Sequence, residues 1–270
     1  PFGKKNSQAR LFISFVYRSR TQLLTWPQIK LYRMKFYLKS LLFLSILLAW
    51  NCDSSQEQST VERPHDPWVF RSVMDGKPRM LTVALHDDLW ASYSTETASL
   101  YKVWKGGVNF DGAVYTTAHG PQPSTLGDAY FENKYEMAAW KVLENGQEVA
   151  VDVQFKGHRF EQGKISLRYE LTLADGSKIE LIERPEYQET ESGQVGFERK
   201  FEVRNAPAGT QVVLKTNVSS IAVQENIKTD GTFDIKSTEI REAKNLKAID
   251  VEGELTLNNN GNTAFTTFFV

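Results

Sequence analysis

The side chains with the most evident chemistry lie between positions 64 and 131, where aromatic residues, histidines and carboxylates are dense. A pyranose has an apolar face and a polar edge, so sugar sites combine flat aromatic rings with oxygen acceptors. We predict that the sugar contacts are made by Trp90, Trp104, Tyr115, Asn109 and Asp111, with Tyr101 and Asp88 as further candidates. The alternative for each aromatic residue is a place in the hydrophobic core.

A catalytic interpretation of the same region uses histidine as a general acid or base. His86 and His119, with Asp88 as the acidic partner, are the candidate set for a carbohydrate-active enzyme of the mutarotase or lyase type. These side chains, together with Asp87 and Asp111, are also metal-ligand types. The histidines lack the spacing of a helical or hairpin ligand pair, and we predict no metal site. No catalytic residue is assigned from the sequence.

A second acidic group, Glu183, Glu186 and Glu189 beside Arg184, has the residue types of a glycoside-cleaving pair. The alternative is a solvated strand surface. Covalent haem requires a Cys-x-x-Cys-His run. Cys52 is the single cysteine, so this sequence has no c-type haem site of its own.

An export signal precedes these elements. Met34 is followed by Lys35 and Lys39, by the apolar run 41–50 and by Cys52. A basic start, a short apolar stretch and a cleavage region are typical of a signal peptide. The apolar run is shorter than the roughly 20 residues of a spanning helix, which makes a transmembrane anchor the weaker interpretation.

We predict lipidation of Cys52, with 34–52 as a lipoprotein signal peptide and 53–62 as a polar, flexible tether. The membrane is then contacted only through the lipid anchor, in the periplasm or at the outer membrane of a cell envelope. Simple secretion with a free cysteine is the alternative. Residues 1–33 are interpreted as translation upstream of the true start, or else as a basic amphipathic extension.

The net charge changes when the leader is removed. Positions 1–52 carry nine basic residues and no acid, which leaves 23 of the 32 basic residues against 33 acidic ones, a mature net charge of about −10. Phosphate backbones attract the opposite charge. Nucleic acid is therefore not expected as a partner.

The fold class follows from the alternation of apolar and polar residues. Apolar side chains recur at every second position in 149–155, 165–173 and 197–203, although Arg199 interrupts the last row. A period of two places one face of a strand on a core and the other in water. We predict an all-β, antiparallel β-sandwich over 63–270, with a barrel left open.

Turn signals separate these rows: Asn145-Gly146, Gln162-Gly163, Asp175-Gly176, Ser192-Gly193, Asp230-Gly231 and the longer run 205–209. Short helices are expected only over 135–141 and 239–246. Because the chain stops on an apolar, strand-like run at 266–270, we expect the domain to continue beyond Val270.

Several segments are similar to a known family: HDPWVFRSVMDGKPRM at 65–80, ALHDDLW at 84–90, LYKVWKGGVNFDGAVYTT at 100–117 and HGPQP at 119–123. Together they resemble the N-terminal region of Bacteroidetes envelope proteins named c-type cytochromes. The resemblance covers about 63–205. It implies a haem c domain beyond Val270, often accompanied by a domain like the 3-keto-disaccharide hydrolases, and no residue role is transferred from it.

The functional expectation is a non-catalytic β-sandwich module of an exported lipoprotein, the N-terminal part of a multidomain cytochrome linked to carbohydrate oxidation. Its partner is carbohydrate or the downstream cytochrome domain. The alternatives are the enzyme based on His86 and His119, and a purely structural lipoprotein.

Overall fold

The computed structural model describes residues 66–110, 122–133, 139–220, 226–243 and 246–269. Its strands, in chain order, are β1 (Trp68–Met74), β2 (Lys77–His86), β3 (Leu89–Ser94), β4 (Ser99–Trp104), β5 (Gly107–Asn109), β6 (Ser124–Leu126), β7 (Ala129–Glu132), β8 (Trp140–Glu144), β9 (Gln147–Val149), β10 (Val151–Glu161), β11 (Lys164–Leu173), β12 (Lys178–Glu189), β13 (Val195–Arg204), β14 (Thr210–Ser220), β15 (Ile227–Thr229), β16 (Thr232–Ala243), β17 (Leu246–Thr256) and β18 (Asn262–Phe268).

These strands form three larger antiparallel sheets and one small ribbon. Sheet 1 has the order β1-β2-β3-β4-β7, sheet 2 the order β10-β11-β12-β13-β18-β15, and sheet 3 the order β16-β17-β14-β8-β9, while β5 and β6 pair with each other. The predicted all-β, antiparallel class is confirmed. No helix in the described part of the chain is long and apolar enough to cross a membrane.

Sheet 2 shows the predicted alternation most clearly. In β11 the side chains of Leu167, Tyr169 and Leu171 are buried, and the residues between them are half-buried. Asn145 and Gly146 have positive φ at the β8–β9 hairpin of sheet 3. In sheet 2, Gln162 and Gly163 likewise have positive φ between β10 and β11, which explains the start of its meander. Consecutive strands therefore pair as hairpins from β10 to β13.

The chain then moves between sheets 2 and 3. The run 205–209 carries it from β13 in sheet 2 to β14 in sheet 3, with positive φ at Asn205 and Gly209. The backbone of Ala206 donates to the side chain of Asn260 at 3.1 Å, which fixes this crossing. Asp230-Gly231 also lies between sheets, since it joins β15 to β16, so the hairpin expected there does not form.

One helix prediction is wrong. Residues 239–243 are the end of β16, and Leu246 begins β17, with Glu239 opposite Asp250 in the ladder. The residues there have good helix propensity, but pairing with β17 overrides it. The other expected helix, 135–141, lies partly outside the described residues, and its end at Trp140 and Lys141 belongs to β8.

All three sheets contribute to the main core, which contains Leu81 and Val83 from sheet 1, Leu167 from sheet 2 and Val212 from sheet 3. A second core covers the opposite face of sheet 1 and includes Met74, Met80, Ala84, Trp90, Tyr101, Trp104 and Val108. Sheet 1 is therefore buried on both faces, which explains why Met80 to Ala84 in β2 are all buried.

Two glycines allow the connections at one end of sheet 1 to touch. Gly106 follows β4 and Gly127 precedes β7, and their φ values are 121° and 110°. A Cβ on Gly127 would overlap the carbonyl oxygen of Lys105, and one on Gly106 would overlap that of Leu126. The backbone of Lys105 donates to the carbonyl of Asp128 at 2.9 Å across this contact.

Gly127→Ala is expected to lower the free energy of unfolding by at least about 2 kcal/mol, because backbone strain and a backbone clash act together. Gly163→Ala is the control, because Gly163 has a φ of 75° but open space around it, and this change should lower the free energy of unfolding by only about 1 kcal/mol. Urea unfolding of both variants measures the difference. If both variants lower the free energy of unfolding equally, the close approach of Gly127 to the Lys105 carbonyl is not important for stability.

Candidate functional site

Two of the predicted sugar-binding rings are packed inside the protein. Trp90 is 4% exposed and Trp104 is 0% exposed, and their centroids lie 6.0 Å apart in the second core. Trp104 Nε1 donates to the carbonyl of Gly107 at 2.8 Å. In the free protein these ring faces are covered by neighbouring side chains, as the core alternative expects.

The other predicted sugar contacts are placed differently. Asn109 is half-buried at the end of β5, whereas Asp111 and Tyr115 lie outside the described residues. Cys52, the predicted leader and His119 also lie outside them. Tyr101, which is 6% exposed and belongs to the second core, is among the residues that line an open recess, as described below.

His86 and Asp88 flank the β2–β3 turn, but they do not form a carboxylate–histidine pair. The backbone of Asp88 donates to His86 Nδ1 at 3.2 Å, while its carboxylate pairs with Lys105 Nζ at 3.1 Å. The Lys105 pKa is raised, first by the hydrogen bond to Asp88 and then by its charge. Among the described residues, no group of three or more His, Cys or acidic side chains is placed to hold a metal.

His86 instead stacks on Tyr187 of β12, with centroids 3.9 Å apart and planes at 18°. The Tyr187 hydroxyl donates to Glu189 at 3.1 Å. Burial and then this hydrogen bond raise the pKa of Tyr187 to about 12. This stack packs the β2–β3 turn against sheet 2, so His86 has a structural role.

The acidic group on β12 does not converge. Glu183 faces the core, whereas Glu186 lies on the opposite face, where it binds Lys164 and Lys200 at 3.0 Å each. Glu189 is six residues from Glu183, roughly 20 Å along an extended strand. These residues therefore do not form the pair of facing carboxylates that glycoside cleavage requires.

Glu183 has a structural role that the alternation alone did not reveal. It is 0% exposed, and it binds Arg199 through two bonds, Nε to Oε1 at 2.7 Å and Nη2 to Oε2 at 3.1 Å. Tyr93 of sheet 1 donates to Oε1 at 2.9 Å and Tyr169 to Oε2 at 3.3 Å. Four donors therefore satisfy one buried carboxylate, and Tyr93 links sheet 1 to sheet 2.

An open recess lies at the β3–β4 turn and is called here the β3–β4 recess. Its volume is about 280 Å³, close to the lower end of ordinary ligand pockets. It is lined by Lys77, Pro78, Met80, Ser94, Glu96, Thr97, Ser99, Leu100, Tyr101 and Asn133. Hydroxyl groups are thus concentrated around one aromatic ring.

Local hydrogen bonds shape this recess. The Thr97 backbone donates to Ser94 Oγ at 3.2 Å, and the hydroxyls of Thr97 and Ser99 lie 2.6 Å apart. Thr95 donates from its backbone and its hydroxyl to the carbonyl of Arg79, at 3.0 and 2.8 Å. These bonds hold the turn against the start of β2, so the polar groups are positioned before any ligand arrives.

Asp75 holds the Tyr101 hydroxyl in place by a hydrogen bond. The Tyr101 hydroxyl donates to Asp75 at 3.1 Å, and Asp75 also accepts from the Thr125 backbone at 2.7 Å and from Lys102 at 3.3 Å. Burial raises the pKa of Asp75, but the bonds from Thr125 and the charge of Lys102 outweigh it and lower the pKa overall. Lys77 Nζ lies 5.3 Å from the centroid of the Tyr101 ring.

Sequence reasoning found Tyr101 but missed the rest of this recess. The available signal was the hydroxyl-rich run SYSTETAS at 92–99, which reads as an ordinary turn. The β3–β4 recess contains one carboxylate, Glu96, and no histidine or cysteine among the described lining residues. Its chemistry is therefore suited to hydrogen bonding rather than to an acid–base pair.

The chain was also compared with known proteins. No family model and no curated protein matches it.

Glu183→Gln is expected to lower the free energy of unfolding by about 3–5 kcal/mol, because it leaves the buried Arg199 charge without a counter-ion. Glu183→Leu combined with Arg199→Met should cost less than the single change, since no charge is left buried. Urea unfolding at neutral pH tests both. If Glu183→Gln lowers the free energy of unfolding by less than about 1 kcal/mol, the value typical of an exposed ion pair, the structural role of Glu183 is contradicted.

Stability should also decrease above pH of about 10, the ordinary tyrosine pKa. Burial and the Glu183 charge raise the pKa values of Tyr93 and Tyr169 well above their usual range. The unfolded chain therefore releases protons that the folded protein retains, and the free energy of unfolding falls as pH rises. Between pH 8 and 11, the free energy of unfolding should fall less steeply in Tyr93→Phe than in the unchanged protein. If Tyr93→Phe leaves the pH dependence of the free energy of unfolding unchanged, the ionisation of Tyr93 is not coupled to folding and the prediction is wrong.

Proposed function

We propose that this chain is a non-catalytic carbohydrate-binding module of an exported lipoprotein. Within that proposal it is the N-terminal part of a multidomain c-type cytochrome protein, with Cys52 as the lipidated residue. The observation that supports carbohydrate binding is the β3–β4 recess, about 280 Å³ in volume and lined by hydroxyl groups beside Tyr101.

The lining groups have complementary hydrogen-bonding roles. Glu96 is an acceptor, Lys77 is a donor, and Ser94, Thr97 and Ser99 carry hydroxyls that act as either. A sugar hydroxyl is likewise both donor and acceptor, so each hydroxyl of a bound ring has a choice of partners. A strongly ionic ligand fits less well, because Lys77 and Glu96 carry opposite charges in the same recess.

Glu96 is the side chain best suited to a test. Its side chain is 55% exposed, and Oε1 lies 3.6 Å from Arg79 Nη1. Such an exposed ion pair contributes at most about 1 kcal/mol to stability. Removing it therefore leaves the fold intact while deleting a charged acceptor from the recess. Glu191, exposed in the β12–β13 turn, is a control with the same change in charge.

Calorimetric titration of the purified chain with a panel of plant oligosaccharides is expected to show saturable binding. Glu96→Ala should weaken that binding by about tenfold, because a hydrogen bond to a charged group contributes about 1.5–3 kcal/mol. Glu191→Ala should leave the affinity unchanged. The proposal fails if no glycan binds, or if the two variants behave alike.

A further inference from the structure

The chain contains two Asn-Gly pairs, Asn145-Gly146 and Asn260-Gly261. An asparagine before glycine is prone to deamidation, because glycine has no side chain to hinder its main-chain nitrogen from reaching the asparagine amide carbon. Both asparagines are exposed, and their φ values are 49° and 50°. Dipeptide, exposure and φ therefore do not distinguish the two sites, and a difference in their reactivity must come from the contacts around them.

Deamidation requires only water as a co-reactant. The main-chain nitrogen of the glycine attacks the side-chain carbonyl carbon of the asparagine, a C–N bond forms, and the amide nitrogen leaves as ammonia with the proton of the attacking nitrogen. Water then opens the cyclic imide at one of its two carbonyls, which gives aspartate or isoaspartate. The asparagine side chain must rotate into position for this attack, so hydrogen bonds that hold its amide slow the reaction.

The amide of Asn260 is held at both of its polar atoms, in an arrangement called here the Ala206 clamp. Its Oδ1 accepts from the backbone of Ala206 at 3.1 Å, and its Nδ2 donates to the carbonyl of Ala206 at 3.3 Å. The carbonyl of Gly261 also accepts from the backbone of Val203 at 3.0 Å. Rotation of the Asn260 amide therefore breaks two hydrogen bonds at the crossing from sheet 2 to sheet 3.

The two preceding asparagines hold the same turn in place. The side-chain amide of Asn258 donates to the carbonyl of Asn262 at 2.9 Å, and that of Asn259 donates to the carbonyl of Thr210. The backbone of Asn258 donates to the hydroxyl of Thr263 at 2.8 Å. The β17–β18 connection is thus bonded to itself and to the start of β14, which suppresses the local opening that the attack needs.

The surroundings of Asn145 are different. Its backbone donates to the carbonyl of Gly209 at 2.9 Å, but within the described part of the chain its side-chain amide forms no hydrogen bond. The following strand, β9, has three residues and is the edge of sheet 3. A short edge strand opens at lower cost than a central one. The Asn145 amide is therefore free to rotate, in a hairpin that opens easily.

We propose that Asn145 is a deamidation site and that the Ala206 clamp protects Asn260 from the same reaction. The clamp must break before Asn260 reacts, and a barrier higher by about 1.4 kcal/mol corresponds to a tenfold lower rate. The isoaspartate product at Asn145 adds a main-chain carbon to a two-residue turn, next to its bond with Gly209. This site does not depend on the carbohydrate proposal.

The test follows the intact chain in mildly alkaline buffer, with peptide mapping and fragmentation by mass spectrometry to measure conversion at each asparagine. In the folded protein, Asn145 is expected to convert at least about tenfold faster than Asn260. In urea, where the clamp is absent, the two sites should convert at nearly equal rates. Equal rates in the folded protein, or no conversion at Asn145, would overturn the proposal. A difference that persists in urea would also overturn it, because the fold would not be the cause.

Asn145→Gly is the matched variant, because glycine accepts the positive φ of the turn and has no amide. It should remove the early release of ammonia from the folded protein and leave the slow conversion of Asn260 unchanged. Undiminished early release of ammonia would overturn the assignment to Asn145.

Discussion

The buried ion pair between Glu183 and Arg199 is the interaction on which the arrangement of the sheets depends. A charge inside a protein is tolerated only when its partners are in place, so the pair constrains every strand that supplies a donor. Glu183 and Arg199 belong to neighbouring strands of sheet 2, Tyr169 to a third, and Tyr93 to sheet 1. Strand register and the position of sheet 1 are therefore coupled through one carboxylate.

The burial of sheet 1 on both faces is the second constraint. Its strands pack against sheets 2 and 3 on one face and against the aromatic second core on the other. Trp90 and Trp104 are used to fill that second core. The ends of the strands and their turns are then the places where sheet 1 meets solvent, and the β3–β4 recess lies at one of these turns.

The exposed face of sheet 2 is different in character. Cross-strand ion pairs join Arg168 to Glu180, Arg184 to Glu202, and Lys200 to Glu186 across β11, β12 and β13. Such pairs support neighbouring strands and leave no extended field of one sign. The β3–β4 recess is instead concave and rich in hydroxyl groups.

The sequence by itself determined the all-β class, the buried and exposed faces of β10, β11 and β13, and the hairpins at Asn145 and Gln162. These features depend on a period of two and on positive φ, which are local properties. The tertiary structure decided the rest. It turned Arg199 from an interruption into a core residue, because its partner Glu183 comes from another strand. It also made 239–243 the end of β16 through pairing with β17. It assembled the β3–β4 recess from three separate parts of the chain, 77–80, 94–101 and Asn133. Contacts between residues that are distant along the chain do not alter the local alternation of apolar and polar residues, so only the packed structure reveals them.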